Sequence, residues 1–198
     1  LSTDVPRDDI AHAVEHSVRS IETPETATSE HEGFHRAQPR LADMSAVLIS
    51  SEKISTSITG AEAYRVRYRS SDVQGRPTES TGLVISPASA GTNRKVMSWT
   101  HGTTGMGDAA CPSTQLDPAR ELVTYFQSGS TTQIDYGIPG LQSFIDEGWI
   151  VAATDYQGMG SEGVHQYTVN RTNARDGVNI VHAVQEMNLG AGNQFGVI

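Results

Sequence analysis

Residues 95–105 read KVMSWTHGTTG, and the fold assignment depends on this stretch. The segment from Lys95 to Trp99 is short and mostly apolar, as expected for a buried strand, and it runs into the turn His101-Gly102. Glycine has no Cβ, so the main chain can approach a bound group closely at this turn. Thr103 and Thr104 follow, and each can offer a main-chain N–H and a side-chain hydroxyl. The stretch therefore predicts either a turn that binds an anionic oxygen or simply a tight turn.

Downstream of this stretch, predicted helices alternate with predicted strands. The elements are the helices Pro118–Phe126 (N-cap Asp117) and Pro139–Glu147, the strand Trp149–Thr154, a helix capped by Thr172, and a last strand starting at Phe195. The strand at 149–154 has no polar alternation, as expected when both faces of a sheet are covered. The last helix has its apolar side on Ala174, Val178, Val181 and Val184. This alternation favours an α/β fold with a mostly parallel sheet and helices on both faces.

Upstream, the pattern predicts antiparallel strands. Residues 46–54 form a mixed apolar run, and residues 64–69 alternate strictly between arginine and an apolar or aromatic residue. The turn sequence DVQGRP at 72–77 then leads to a second strand at Gly82–Ile85. We therefore expect these two strands to form an antiparallel hairpin at an edge of the sheet.

The first 40 residues differ from the rest of the chain. Apolar residues recur there at helical spacing and predict a short amphipathic helix: Ile10, Val14, Val18 and Ile21. The stretch up to Arg40 is polar, contains Pro24 and Pro39, and predicts an extended arm. The expected organisation is thus a helix and polar arm over 1–40 and the N-terminal half of a larger domain over 41–198.

Composition excludes several classes of function. The 198 residues carry a formal net charge of −9, which argues against a general nucleic-acid binder because phosphate binding needs a basic face. No apolar run approaches the roughly 20 residues that cross a bilayer. The chain begins at Leu1, which fits either a processed mature protein or a trimmed chain. The single cysteine, Cys111, is expected to pair with a cysteine beyond Ile198 or to be a small buried thiol.

Two blocks at a characteristic separation resemble a known enzyme family. These are His101-Gly102-Thr103-Thr104-Gly105 and Asp155-Tyr156-Gln157-Gly158, and over about 41–198 the chain resembles the secretory lipases, the lipase-A-like branch of the α/β-hydrolases. The resemblance implies a secreted or cell-envelope enzyme that hydrolyses acyl esters through a Ser-Asp-His triad and an acyl-enzyme, with no cofactor. It implies that Thr103 and Thr104 form the oxyanion hole and that His101, Gly102, Asp155 and Tyr156 line the substrate site. For Asp155, we favour a structural carboxylate that holds loop N–H groups.

The family's nucleophile motif, Gly-x-Ser-x-Gly, does not occur in the chain. Ser161 comes nearest, but Met159 stands where the first glycine is needed. The fold is therefore expected to be truncated before the nucleophile elbow, with the triad beyond Ile198. The partner that we expect is the C-terminal half of the same protein, as a second chain.

Two other classes of function stay open. His12 and His16 spell H-x-x-E-H on the predicted N-terminal helix, and His31 and His35 spell H-E-x-x-H, so a metal-dependent peptidase or metal-binding module is an alternative. Against it, no third ligand or buried frame is evident, so we predict no metal site. A non-catalytic binding domain with the hydrolase fold is the other alternative. Residues 158–163 also match G-x-G-x-x-G, but no helix follows at once, and we interpret them as a loop.

Overall fold

The computed structural model describes residues 46–123 and 136–198, which form a six-stranded sheet with two helices. The elements are β1 (Leu48–Ile54), β2 (Ala61–Ser71), β3 (Pro77–Pro87), β4 (Arg94–Trp99), α1 (Leu141–Asp146), β5 (Ile150–Thr154), α2 (Asn170–Glu186) and β6 (Ala191–Val197). Two short 3₁₀ turns, Asp108–Ala110 and Pro112–Thr114, lie between β4 and α1. The predicted N-terminal helix and arm lie outside the described residues, so the division at residue 40 stays a prediction.

The strand order is β1-β2-β3-β5-β4-β6. β1, β2 and β3 pair antiparallel, and β3 also pairs antiparallel with β5, whereas β4 pairs parallel with both β5 and β6. The prediction of a mostly parallel sheet therefore needs correction, since the sheet is mixed. Short turns join the first three strands and impose antiparallel pairing, whereas the later strands are joined by longer crossovers that contain helices. The predicted hairpin is confirmed as β2–β3, but β1 rather than the hairpin lies at the edge of the sheet.

Helices cover both faces of the sheet, as predicted. One face carries Val84, Val96 and Ile150, which pack with Ile180 and Val181 of α2. Because side chains alternate along a strand, Leu83, Ile85 and Val151 lie on the opposite face, where α1 packs against β3 and β5. β5 is buried along its whole length, which explains its uninterrupted apolar sequence.

Gly82 is required where β3 passes β5. A Cβ at this position would overlap the carbonyl oxygen of Ala153 and would come within 2.8 Å of the Cδ1 atom of Ile180. The missing side chain thus lets β3, β5 and α2 pack closely, directly below the end of β5.

The predicted helix Pro118–Phe126 is wrong over the described residues 118–123. There the main chain bonds to a distant segment: Leu122 N donates to Ile138 O at 3.0 Å and Ile138 N donates to Arg120 O at 2.9 Å. The Thr56 hydroxyl also donates to Ala119 O at 2.5 Å. Long-range bonds therefore replace the i to i−4 bonds of a helix, and residues 124–126 lie outside the described part of the chain.

The prediction for α2 needs two corrections. The helix begins at Asn170, and Thr172 lies buried in its first turn instead of capping it. Ala174 is exposed, and the buried side of the helix carries Thr172, Asp176, Ile180 and Val184. The other predicted helix and the later strands are confirmed within a few residues at their ends. No helix in the described ranges is long and apolar enough to cross a membrane.

Candidate active site

The two blocks that the sequence singled out meet at one edge of the sheet. β4 and β5 are parallel neighbours, with Trp99 opposite Ala153, so the segments that follow them leave the sheet side by side. The rings of His101 and Tyr156 lie 4.7 Å apart between centroids, and the Tyr156 hydroxyl donates to the main-chain oxygen of His101 at 3.0 Å. This edge lies at the carboxyl ends of the parallel strands, where open α/β sheets bind their ligands.

The turn after β4 presents main-chain amides that are not used within it. No acceptor in residues 46–123 and 136–198 takes the N–H of Gly102, Thr103 or Thr104. Gly102 and Thr103 are exposed, whereas Thr104 is buried. Main-chain N–H groups in folded proteins normally have an acceptor. Adjacent N–H groups that have none among the described residues can therefore donate to an anionic oxygen of a ligand.

The two threonine hydroxyls have different partners. Thr104 Oγ1 donates to Ala110 O at 2.8 Å, so this side chain holds the turn to the first 3₁₀ segment. Thr103 Oγ1 lies 2.7 Å from the hydroxyl of Tyr167, which comes from the loop between β5 and α2. Of the two threonine side chains, only that of Thr103 therefore lies on the exposed side of the turn.

His101 is a buried, uncharged support for this turn. Its ring lies between those of Trp99 and Tyr156, and its Nδ1 donates to Gly102 O at 2.7 Å. Burial, which disfavours the imidazolium, lowers the pKa of His101 below its usual value. The side chain thus shapes the turn as a neutral group.

Asp155 is fully buried and tied to two neighbouring segments. One carboxylate oxygen accepts from the Thr81 hydroxyl at 2.8 Å, and the other accepts from the Ser113 main-chain N–H at 2.9 Å. The carboxylate therefore joins the end of β5 to β3 and to the 3₁₀ segment at 112–114.

Cys111 lies beneath the same loops and is fully buried. Burial, together with the charge of Asp155, raises the pKa of Cys111 to about 12. The thiol stays protonated at neutral pH, which excludes a role as an activated nucleophile in this arrangement.

Tyr156 adopts a left-handed backbone conformation, with φ of 66°. Non-glycine residues rarely hold this conformation, and they do so where the surroundings enforce it. Here the Tyr156 N–H donates to Thr154 Oγ1 at 2.9 Å, and the next N–H, of Gln157, donates to Asp176 Oδ2 at 2.8 Å. The sharp turn at the end of β5 directs the Tyr156 ring toward His101.

Asp176 is a residue of this region that the sequence analysis missed. It lies on α2, is fully buried, and also accepts from the Ser80 hydroxyl at 3.1 Å. Burial raises its pKa above the usual value for an aspartate. A signal was present, since Asp176 lies four residues from both Thr172 and Ile180 and so shares the helix face that those residues bury.

Tyr167 is the other missed residue. It lies on the loop between β5 and α2. Residues 158–163 of this loop form turns and bends, which confirms that the G-x-G-x-x-G match is a loop. Nothing in the local sequence around Tyr167 indicates that its hydroxyl reaches Thr103, because 64 positions separate the two residues.

Both alternative metal motifs lie within the first 40 residues of the chain. His12, His16, His31 and His35 lie outside the described residues. Within 46–123 and 136–198, no group of three or more His, Cys, Asp or Glu side chains is placed to hold a metal ion.

The sheet, its helices and the loops at the carboxyl ends of its strands define an α/β-hydrolase fold. The chain is similar to the ligand-bound rice cell wall degrading esterase LipA from Xanthomonas oryzae, with 16% identity, a TM-score of 0.55, and coverage of 76% of this chain and 41% of that one. It is also similar to Candida antarctica lipase A, with 18% identity, a TM-score of 0.54, and coverage of 72% and 32%.

At these identities the likeness establishes the fold. The chain spans less than half the length of either solved structure. No protein-family model matches the sequence, and no curated protein sequence matches it.

Proposed function

We propose that this protein is a serine carboxylic-ester hydrolase of the lipase or esterase type, and that the described residues supply its oxyanion-hole half. The observation that carries the proposal is the run of amides at Gly102, Thr103 and Thr104, which bond to no acceptor in the described residues and lie at the carboxyl ends of the parallel strands. The names of the two similar structures, an esterase and a lipase, agree with it.

The chemistry follows from what such a turn stabilises. A serine Oγ attacks the carbonyl carbon of the ester, its proton passes to a histidine, and the carbonyl oxygen becomes anionic. When this intermediate collapses, the ester C–O bond breaks, the alcohol leaves with the proton from the histidine, and the acyl group stays on the serine. Water then repeats the sequence, so that the acid is released and the serine is restored.

In this mechanism the amides of Thr103 and Thr104 donate to the oxyanion. Removal of a single such donor costs an enzyme of this type about 3–4 kcal/mol of transition-state stabilisation. We assign Thr103 and Thr104 to the oxyanion hole, Gly102 to the substrate-facing wall, and His101, Asp155 and Tyr156 to its support from below. We propose that the serine, aspartate and histidine of the triad lie in the C-terminal half of the same protein.

The secretory-lipase resemblance extends the proposal to location and substrate. We propose a secreted or cell-envelope enzyme that acts on lipids or smaller acyl esters. Fractionation of the producing cells tests the location, and recovery of the activity only with the cytosolic fraction would contradict it.

The decisive experiment uses the intact protein with short-chain nitrophenyl esters and a serine-directed fluorophosphonate. We expect ester turnover, covalent labelling with one phosphonate per molecule, and loss of turnover in proportion to labelling. Heat-denatured protein is the control for non-specific labelling. Folded protein that neither turns over the esters nor takes the label would overturn the proposal in favour of a non-catalytic binding domain. Turnover abolished by a chelator and restored by a metal would favour the metal-dependent alternative.

A further inference from the structure

We infer that Tyr167 is a positioning residue for the oxyanion hole: its hydroxyl orients the Thr103 hydroxyl, so that the threonine proton points at the oxyanion. This inference rests on the proposed function and deepens it. It concerns a residue that touches the substrate only through Thr103.

The first step is the direction of the hydrogen bond. Tyr167 OH and Thr103 Oγ1 are 2.7 Å apart, and either atom can be the donor. A phenol is a more acidic hydroxyl than an aliphatic alcohol and is therefore the better donor. When Tyr167 donates, the proton of Thr103 is free to point elsewhere, and the polarised threonine becomes a stronger donor to a neighbouring anion.

The second step is that contacts within the loop hold the segment that carries Tyr167. His165 Nδ1 donates to Gln157 O at 3.0 Å, which closes the loop on itself. Gly158 makes this closure possible, because a Cβ there would overlap the main chain of His165. At the other end of the loop, the Thr172 hydroxyl donates to Gln166 Oε1 at 2.6 Å.

The third step is a strained residue next to Tyr167. Thr168 has φ of 61°, a conformation that is a genuine outlier for a β-branched residue. Such strain persists only where the surrounding contacts enforce it, and it is concentrated at functional sites. Here the strained backbone follows directly after the tyrosine whose hydroxyl meets Thr103.

The fourth step is the support of the tyrosine ring. Ring centroids follow one another from His101 to Tyr156 at 4.7 Å, to His165 at 6.2 Å and to Tyr167 at 6.0 Å. The same aromatic series that supports the turn after β4 therefore also supports Tyr167. The aromatic contacts thus join the turn to Tyr167, although Tyr167 itself is 43% exposed.

The test uses the intact protein with Tyr167→Phe, Thr103→Val and the double variant, assayed for kcat and KM on nitrophenyl esters. Phe keeps the ring, and Val keeps the shape and the amide of Thr103. Loss of one hydrogen bond predicts a kcat roughly two- to tenfold lower for Tyr167→Phe, with KM within about twofold. Since both hydroxyls act as one unit, adding Tyr167→Phe to Thr103→Val should lower kcat no further.

Tyr64→Phe is the matched control, because the Tyr64 hydroxyl bonds to Glu62 on β2, at 2.7 Å, and has no link to the turn. Its kcat should equal that of the wild type. The inference would be overturned if kcat were unchanged in Tyr167→Phe, or if the losses of kcat multiplied in the double variant. Turnover and phosphonate labelling of the wild type would uphold the proposed function in either case.

A second readout is independent of activity. Three-bond couplings to the Thr103 methyl group report its χ1 angle, and we expect a single rotamer in the wild type and rotamer averaging in Tyr167→Phe. An unchanged rotamer in Tyr167→Phe would overturn the inference. If the wild type showed neither turnover nor labelling, the proposed function would fail, and this measurement would still decide whether Tyr167 orients Thr103.

Discussion

Replacement of Asp176 tests how α2 supports the turn at the end of β5. Asp176→Ala removes the acceptor of two buried donors, the Gln157 N–H at 2.8 Å and the Ser80 hydroxyl at 3.1 Å. An unsatisfied buried donor costs about 1–3 kcal/mol, so the free energy of unfolding should fall by about 2–6 kcal/mol. Because Gln157 follows the strained Tyr156, ester turnover should fall as well.

Asp176→Asn is the matched variant. Its amide oxygen can still accept from Gln157 N–H, and its NH₂ group can donate to Ser80, whose hydroxyl can turn round and accept. The free energy of unfolding should therefore stay within about 1 kcal/mol of the wild-type value near neutral pH. Urea denaturation, followed by the fluorescence of the two tryptophans, Trp99 and Trp149, measures both variants.

The raised pKa of Asp176 predicts how the free energy of unfolding changes with pH. Burial raises the pKa of folded Asp176 above its ordinary value of 3.8, so the folded protein holds the proton more tightly than the unfolded chain does. The stabilising contribution of this group is therefore complete at low pH and is lost as pH rises from about 3.8 through the raised pKa. The amide of Asp176→Asn does not titrate in this range. As pH rises through the range, the free energy of unfolding of this variant should therefore increase relative to that of the wild type.

Two results would refute this reasoning. If Asp176→Ala lost less than about 1 kcal/mol, the two hydrogen bonds would not support the fold as argued. If the Asn variant were as unstable as the Ala variant at neutral pH, the carboxylate charge and not its acceptor geometry would be what matters.

Three further substitutions or reactions test the packing around the site. Gly82→Ala should lower the free energy of unfolding by about 1–3 kcal/mol, because the added Cβ would overlap β5. Gly107→Ala is the control, since a Cβ there would meet no atom within 4 Å. Equal effects of the two substitutions in urea denaturation would contradict the close approach of β3 to β5. Because Cys111 is buried and its pKa is about 12, it should resist iodoacetamide at pH 8 in the folded protein and react in urea. Mass spectrometry measures the modification, and rapid modification of the folded protein would refute the burial of Cys111. Thr104→Val should cost about 0.5–1.5 kcal/mol of stability through the lost bond to Ala110, and an unchanged midpoint in urea would argue against that bond.

Local patterns predicted most of the secondary structure. The strict alternation at 64–69 and the turn at 72–77 predicted the β2–β3 hairpin, and the unbroken apolar run at 149–154 predicted the buried β5. Such elements follow from sequence because the periodicity of a strand and the chemistry of a turn are set within a few residues. The one described segment whose type was wrong, 118–123, bonds its main chain to residues near 138, so long-range pairing overrode its helical pattern.

By itself, the sequence determined the α/β class of the chain, the glycine-containing turn after β4 and the Asp-Tyr block after β5. Only the tertiary structure decided that these two blocks meet, that Asp176 supports the second of them, and that Tyr167 reaches Thr103. The reason is physical: the periodicity of side chains records which face of an element is buried, but not which distant donor will meet a given acceptor. Those pairings depend on strand order and on the path of the loops, which the packing of the whole sheet selects.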